Sequence, residues 1–475
     1  MTERAAAAPS PRGPAAAPDQ PPDPQALLRS RSYLILLVLA AVIGVPISAA
    51  AFGFLALVSK LQGWIFTSLP HGLGFHQEPL WWPLGPLFLS GLLTALAIRY
   101  LPGTGGHSPA DGFKAGKGPP TPAELPGIVL AALATLSLGA VLGPEAPLIA
   151  LGGGLGVCAV RLAKRDAPAR TTAVVASAGS FAAISTLLGS PLTGAFLLME
   201  ASGLGGGMLE IVLLPGLVAA GIGALIFTGL GSWTGLGTFS LAIGHLPSFK
   251  EPDAAEFGWA LVIGVLAALL GWGIRWLALF LRPHVSRRAV LLTPLAGLAV
   301  AGLAIAYAAG TGKSSSDVLF SGQNELGPVV TNAANYTAAA LLLLVACKAL
   351  AYSVSMSGFR GGPVFPSLFT GAAGGMLMSH LPGLPLVAGV AMGIGAMCAV
   401  MLQLPLTSVL LATLLLGSDG LAVMPLAIVA VAVGYIVSAR LVVSPRPEAR
   451  PAADAAASPA PAAPAASSPR PAAGP

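Results

Sequence analysis

Four ionisable side chains lie in otherwise apolar stretches of the sequence: Glu145, Glu200, Lys348 and Arg360. A charge in such a segment is costly, so it usually marks a route for ions, protons or substrates. Glu145 stands in GPEAP, directly before an apolar segment that we predict to be helical over 146–163. The first backbone amides of that helix, including the amide of Ala146, favour a negative charge at this point. The motif therefore predicts an anion site that the Glu145 carboxylate occupies and vacates on protonation, with simple helix capping as the alternative.

A second glycine-rich block, GGPVFP at 361–366, begins another short apolar segment. Backbone amides at the start of a helix can bind a weakly hydrated anion without holding it as strongly as a bare lysine or arginine would, which suits conduction. Arg360 directly precedes the block. It has two interpretations, a positive charge beside the pathway or a side chain that extends to the membrane interface.

A third glycine-rich turn, GTGGHSPADG at 103–112, precedes a predicted helix that starts at Pro109. The hydroxyl groups of Thr104 and Ser108 can donate hydrogen bonds to an anion without adding charge. As an alternative, either residue is simply the N-cap of that helix. The turn adds two candidate anion ligands.

The glycine- and proline-rich blocks occur twice, in the same order along the chain. Pro147, Gly152 and Gly156 of the first block recur 219 residues later. Short, interrupted apolar segments at corresponding places of two halves are typical of transporters built from inverted repeats, although common glycines and prolines also match by chance. The matched blocks are GPEAPLIALGGGLG (143–156) with GGPVFPSLFTGAAGG (361–375), and SPLTGAFLLME (190–200) with LPLTSVLLATL (404–414).

The composition excludes a water-soluble enzyme of this length. Only 9% of the 475 residues are Asp, Glu, Lys or Arg, against roughly 25% in an ordinary soluble domain. The mean hydropathy is +0.82, and apolar runs recur from Ser32 to Val443. Several runs are too short to cross about 30 Å of hydrocarbon, so they predict half-helices that end inside the membrane. We expect an all-α polytopic membrane protein made of two inverted halves whose half-helices end near the membrane midplane.

The chain divides by composition into tails and two apolar halves. The tails are Ala/Pro-rich tracts that cannot form a core, so we expect them to be disordered. Arg29 and Arg31, ahead of a first loop with few basic residues, place the N-terminus in the cytoplasm. The expected parts are a cytoplasmic tail (1–30), a first half (31–240), a second half (256–443) and a second tail (444–475).

Other site chemistries have little support in the sequence. The three cysteines lie in apolar stretches without CxxC spacing, so neither a disulfide framework nor a metal site is expected. GTGKS at 310–314 lacks the first glycine of a phosphate-binding loop, and HExxH and GxSxG motifs are missing. The basic residues form no dense patch, which argues against a nucleic-acid partner. We expect no enzymatic activity and no cofactor.

Together these blocks resemble the CLC family of chloride channels and proton-coupled chloride antiporters, over roughly residues 33–440. In that family, a GSGIP block carries a chloride-coordinating serine, a GREGP block carries the gating glutamate and a GxFxP block provides anion-binding amides. The resemblance implies a homodimer in the lipid bilayer with one chloride pathway per subunit. It implies that Glu145 is the gating glutamate, that Val364 and Phe365 offer amides to the central anion, and that Thr104 or Ser108 takes the role of the serine.

The sequence departs from this family pattern at several positions. Pro144 replaces the arginine of GREGP and Pro363 stands in the GxFxP-like block, and each lacks a backbone N–H. Ala201 stands where family antiporters usually carry an internal proton-transfer glutamate, and Tyr435 falls too early to match the family's inner tyrosine. The missing internal glutamate favours passive, channel-like chloride flux, the two prolines indicate altered anion binding, and the resemblance to compact bacterial members implies a bacterial plasma membrane. The alternatives are H+/Cl− antiport, selectivity for another anion such as fluoride or nitrate, and a structural membrane protein without flux.

Overall fold

The computed structural model describes most of the apolar part of the chain. The expected tail 444–475, and all but the last three residues of the expected tail 1–30, lie outside the described residues. The structure describes residues 28–113, 118–185, 187–188, 190–203, 207–239, 241, 243, 247–249 and 251–441.

Helices make up the described structure, and its one extended pairing is an isolated bridge between Gly143 and Gly362. The predicted helix after GPEAP is confirmed, beginning at Glu145. The first series of helices is α1 (Arg31–Gly63, continuing through a π-helical turn at Trp64–Ser68 to Gly72), α2 (Leu84–Tyr100), α3 (Leu125–Ser137), α4 (Glu145–Ala163), α5 (Ala169–Ala183), α6 (Pro191–Ser202) and α7 (Gly207–Thr234).

A second series repeats the first from Ala254 onwards. Its long first helix, α8, begins with a capping box in which Asp253 and Glu256 exchange side-chain and backbone hydrogen bonds. The series consists of α8 (Ala254–Arg287), α9 (Ala289–Thr311), α10 (Leu326–Thr331), α11 (Ala338–Gly358), α12 (Val364–Met378), α13 (Leu386–Leu402), α14 (Pro405–Leu414) and α15 (Gly420–Arg440).

Seven of these helices are long and apolar enough to cross a membrane. On α1, Leu34, Val38 and Val42 are 58%, 64% and 63% exposed, and their spacing of four residues places them on one helix face. An exposed apolar stripe of this kind faces lipid rather than water. The protein is an all-α, polytopic membrane protein, as its composition predicts.

Equivalent glycines bring equivalent helices into close contact in the two series. A Cβ atom on Gly152 of α4 would overlap the carbonyl oxygen of Gly179 of α5, and the reverse is also true. Gly371 of α12 and Gly393 of α13 are related in the same way. The repeated glycines therefore fix the backbone distance within each helix pair, which explains their recurrence in the sequence.

The core lies around α13. Every side chain from Val387 to Leu402 is buried, as expected for a helix that is apolar on all faces. Because α12 packs directly on α13, the start of α12 is held deep in the protein.

The predicted helix at Pro109 is only a three-residue 3-10 turn, Pro109–Asp111. Gly112 ends it with φ +87°, a left-handed conformation that a side chain would strain.

Candidate anion site

The N-terminal ends of α4 and α12 meet through backbone hydrogen bonds. The N–H of Gly143 donates to the Gly362 carbonyl at 2.8 Å, and the N–H of Gly362 donates to the Gly143 carbonyl at 2.7 Å. Gly362 follows Gly143 by 219 residues, the same offset as the repeat. The reciprocal pair therefore lies where a two-fold relation between the halves would place it, and it joins their two equivalent helix ends.

The Glu145 carboxylate lies between these two helix ends. The side chain is completely buried, and its Oε1 accepts a hydrogen bond from the Val364 N–H. The Phe365 amide also faces the carboxylate. Oε2 has no hydrogen-bond partner among the described residues. A Cβ atom at Gly143 or Gly362 would overlap this carboxyl group, so the glycines leave the space that it fills.

The two prolines that depart from the family pattern are compatible with the starts of α4 and α12. Pro144 and Pro363 are the N-caps of α4 and α12, and their carbonyls accept the first intrahelical hydrogen bonds, from Leu148 at 2.9 Å and Ser367 at 3.3 Å. A proline here removes only an N–H that helix geometry leaves unpaired. The Val364 amide remains directed at the carboxylate, so the prolines are compatible with an anion site.

Tyr352 of α11 supports the start of α12. Its hydroxyl donates to the Pro363 carbonyl at 3.1 Å and lies 3.4 Å from Ser367 Oγ. The residue is fully buried and close enough to Glu145 for an electrostatic interaction. Sequence reasoning missed Tyr352, although its place four residues after Lys348, on the same face of an apolar helix, is a usable signal.

The glycine-rich turn at 103–106 is connected to the segment before α12 by Arg360. The guanidinium Nε donates to the Thr104 carbonyl at 3.2 Å, and Nη1 donates to the Phe359 carbonyl at 3.1 Å. Thr104 is exposed, and Ser108 makes no capping hydrogen bond. The structure therefore brings Arg360 and Thr104 together, but no hydrogen bond of the described residues connects either hydroxyl to Glu145.

A cavity of about 50 Å³ reaches the start of α4. Leu142 and Pro144 are among its lining residues, Pro144 directly precedes Glu145 in the chain, and the cavity volume suffices for water. We call it the Pro144 cavity. Its polar lining residues are Ser59, Gln62, Ser321, Gln323, Asn324 and Glu325.

Comparison with known proteins agrees with this geometry. The profile of a family described as voltage gated chloride channel matches residues 88–439. The chain belongs to the voltage-gated chloride channel family. An Escherichia coli (strain 55989 / EAEC) protein, YfeO, whose name describes it as a candidate ion-transport protein, is 31% identical over 364 residues, which cover 75% of this chain and 82% of YfeO.

Solved structures of the family share the fold. A slow cyanobacterial Cl−/H+ antiporter superposes with a TM-score of 0.68 and 21% identity, covering 86% of this chain and 94% of the other. A CLC-type fluoride/proton antiporter superposes with a TM-score of 0.63 and 19% identity, covering 86% and 96%. At these identities the superpositions establish the inverted-repeat fold, and the family is one of ion channels and transporters.

Glu200, the second intramembrane carboxylate, caps a helix in this member of the voltage-gated chloride channel family. Its Oε1 accepts from the Leu406 N–H at 3.0 Å, and its Oε2 accepts from the Thr407 N–H at 2.7 Å and the Thr407 hydroxyl at 2.6 Å. Both oxygens are therefore held at the N-terminus of α14. A carboxylate in this position stabilises unpaired helix amides.

Lys348, which the sequence also singles out, is fully buried on α11. Its Nζ donates to the carbonyls of Asp317, Leu319 and Phe320 at 3.2, 2.9 and 3.2 Å. These hydrogen bonds stabilise the segment 317–320, which directly precedes the polar residues within 321–325 that line the Pro144 cavity.

Proposed function

We propose that this protein transports chloride or a similar anion across the membrane along a pathway that Glu145 opens and closes. The observation that carries the proposal is the buried Glu145 carboxylate, which accepts a hydrogen bond from the first amide of α12. A carboxylate in this position occupies a site that suits an anion. When the side chain is protonated or moves away, the amides of Ala146, Val364 and Phe365 become available to a permeant anion.

We further propose that the flux is passive and channel-like. Ala201 cannot carry a proton, and both oxygens of neighbouring Glu200 are engaged at the start of α14. These observations support a pathway without an internal carboxylate relay. Arg360 and the hydroxyls of Thr104 and Ser108 would then contribute at the other end of the route.

Proton-coupled antiport is the second candidate function. It is supported by the two solved relatives described above, one named as a Cl−/H+ antiporter and the other as a fluoride/proton antiporter. The second of these structures supports fluoride as an alternative anion, and the changes at Pro144 and Pro363 support a further alternative such as nitrate. In either case the protein would act as a homodimer in a bacterial plasma membrane, with exposed Leu192 of α6 and Leu406 of α14 at the subunit contact.

Chloride efflux from proteoliposomes, with external pH recorded at the same time, tests these proposals. We expect the parent protein to carry chloride faster at acidic pH, because protonation removes the Glu145 charge. Glu145→Ala and Glu145→Gln should carry chloride with much weaker pH dependence, since neither can place a carboxylate on the amides. Glu124→Gln changes a half-buried carboxylate that accepts from the Thr121 N–H and makes no contact with Glu145 in the described structure, so it serves as the matched control.

The outcomes separate the alternatives. Chloride flux without proton movement supports the channel, whereas uphill proton movement driven by a chloride gradient and lost in Glu145→Ala supports the antiporter. Flux of fluoride or nitrate without flux of chloride would change the assigned anion. No flux of any of the three anions from well-folded protein would overturn anion transport.

A further inference from the structure

Glu325 places a second carboxylate in the wall of the Pro144 cavity. It stands in the turn before α10, between the spans α9 and α11, and it lines the same cavity as Leu142 and Pro144. The other polar lining residues are uncharged. An anion in this cavity therefore lies near the Glu325 carboxyl group and near the residue that precedes Glu145.

Lys348 places a positive charge behind this wall, in contact with one of its residues. Its Nζ donates to the carbonyl of Phe320, which also lines the cavity, and lies 4.4 Å from the ring centre of Phe369. Three carbonyl acceptors match the three N–H donors of an ammonium, and an aromatic face also stabilises a cation. A neutral amine would leave one carbonyl without a donor, so the contacts support a charged lysine.

The geometry of α11 and α12 brings this charge close to the anion site. Lys348 and Tyr352 are four residues apart on α11 and share a helix face, and Tyr352 donates to the carbonyl of Pro363. Phe369, under the ammonium, lies on α12 four residues after Phe365. The field of Lys348 therefore acts on the approach to the first amides of α12.

Two carboxylates interact with Lys348 through space, Glu325 and Asp317, and neither forms a direct ion pair with it in the described structure. Asp317 Oδ2 is already engaged by the hydroxyls of Tyr307 at 2.9 Å and Tyr336 at 3.1 Å. Burial raises the pKa of Glu325, with Lys348 opposing the shift and Asp317 adding to it. Glu325 is thus the carboxylate of this cluster that both lines the cavity and gains a proton readily.

We propose that the opposite charges of Glu325 and Lys348, which act without a direct ion pair, together set how fast an anion enters the site from the Pro144 cavity. Lys348 attracts the anion, and ionised Glu325 cancels that attraction, so protonation of Glu325 accelerates entry. The inference rests on the proposed anion transport and assigns control of the entry rate to two residues outside the helix ends.

The test uses the full chain in a Glu145→Ala background, which removes the carboxylate at the helix ends and its titration. We expect chloride efflux from Glu145→Ala proteoliposomes to retain a dependence on pH, being faster when Glu325 is protonated. Adding Glu325→Gln should raise efflux at pH 8 by a factor on the order of threefold to tenfold and remove that dependence. Adding Glu78→Gln, which neutralises a carboxylate that does not line the cavity, should leave the efflux rate and its pH dependence unchanged.

Lys348→Gln provides the second arm, because an amide can still donate two hydrogen bonds to the three carbonyls. Combined with Glu145→Ala, it should slow efflux and abolish the effect of Glu325→Gln. Equal rates and equal pH dependence with and without Glu325→Gln would overturn the inference alone. Absence of anion flux from Glu145→Ala would overturn the proposed function and this inference with it. Glu325→Gln is nearly isosteric, so it decides the question even if Lys348→Gln does not fold.

Discussion

Glu145 and Val364 occupy equivalent positions of the two repeats, 219 residues apart, but only one of them carries a carboxylate. At one helix end the side chain supplies the negative charge, and at the other the backbone amide receives it. The repeat thus gives the site two similar helix N-termini. The site is asymmetric because one of them carries a glutamate and the other a valine. The space for this arrangement depends on Gly143 and Gly362, where a Cβ atom would overlap the carboxyl group.

Gly362→Ala should therefore lower the free energy of unfolding by about 1–3 kcal/mol, the usual cost of overpacking a close contact. The matched control is Gly374→Ala on α12, where an added Cβ meets nothing within 4 Å. Thermal unfolding in detergent measures both. A melting temperature of Gly362→Ala equal to that of the control would show that the carboxylate is not packed against this glycine.

Glu78, in the loop before α2, gives a prediction for the dependence of stability on pH. Burial raises the pKa of its carboxyl from the ordinary value of 4.5 to about 7, and the hydrogen bond from Ser315 opposes the shift. The folded protein then binds this proton more tightly than the unfolded chain, so the contribution of Glu78 to stability falls as pH rises between these values. Glu78→Gln should lose less melting temperature than the parent between pH 5 and pH 8. An identical decrease in both proteins would contradict the assignment.

At the scale of helices, the N-terminal ends of the two series contact two different carboxylates. The starts of α4 and α12 meet around Glu145, whereas the start of α14 is capped by Glu200 of α6. The sequence locates each carboxylate that lies in an apolar segment, where a charge is costly. It does not show which helix N-terminus that carboxylate will contact in the folded protein. Glu145 and Glu200 look alike in the sequence for this reason, and only the packing of α6 against α14 distinguishes them.

Glu200→Ala should destabilise the protein by about 1–2 kcal/mol, the range for loss of a helix cap. Glu200→Gln should retain part of that stability, because its amide oxygen still accepts one hydrogen bond from α14. Neither change should alter the ratio of protons to chloride in the proteoliposome assay. Thermal unfolding measures the first effect, and a changed ratio would instead indicate that Glu200 carries protons.

At the scale of the whole molecule, hydropathy and the repeated Pro and Gly blocks predicted the all-α fold, the inverted repeat and the helix over 146–163, which in the structure begins at Glu145. Tyr352 and Glu325 escaped prediction because their positions depend on contacts between distant segments. The hydroxyl of Tyr352 donates to the carbonyl at the N-cap of the next helix. Glu325 lines a cavity that residues of α1 and α3 also line. Local patterns carry no information about such contacts.

The bridge between Gly143 and Gly362 also constrains the order in which the protein folds during translation. Its two partners are separated by 219 residues, which a ribosome adds in roughly 10–45 s at bacterial and eukaryotic rates. During that interval, α4 is already synthesised while the backbone of Gly143 and the carboxylate of Glu145 lack their partners. The nascent first half must therefore be held in a partly assembled state, and the site is completed only when the second half arrives.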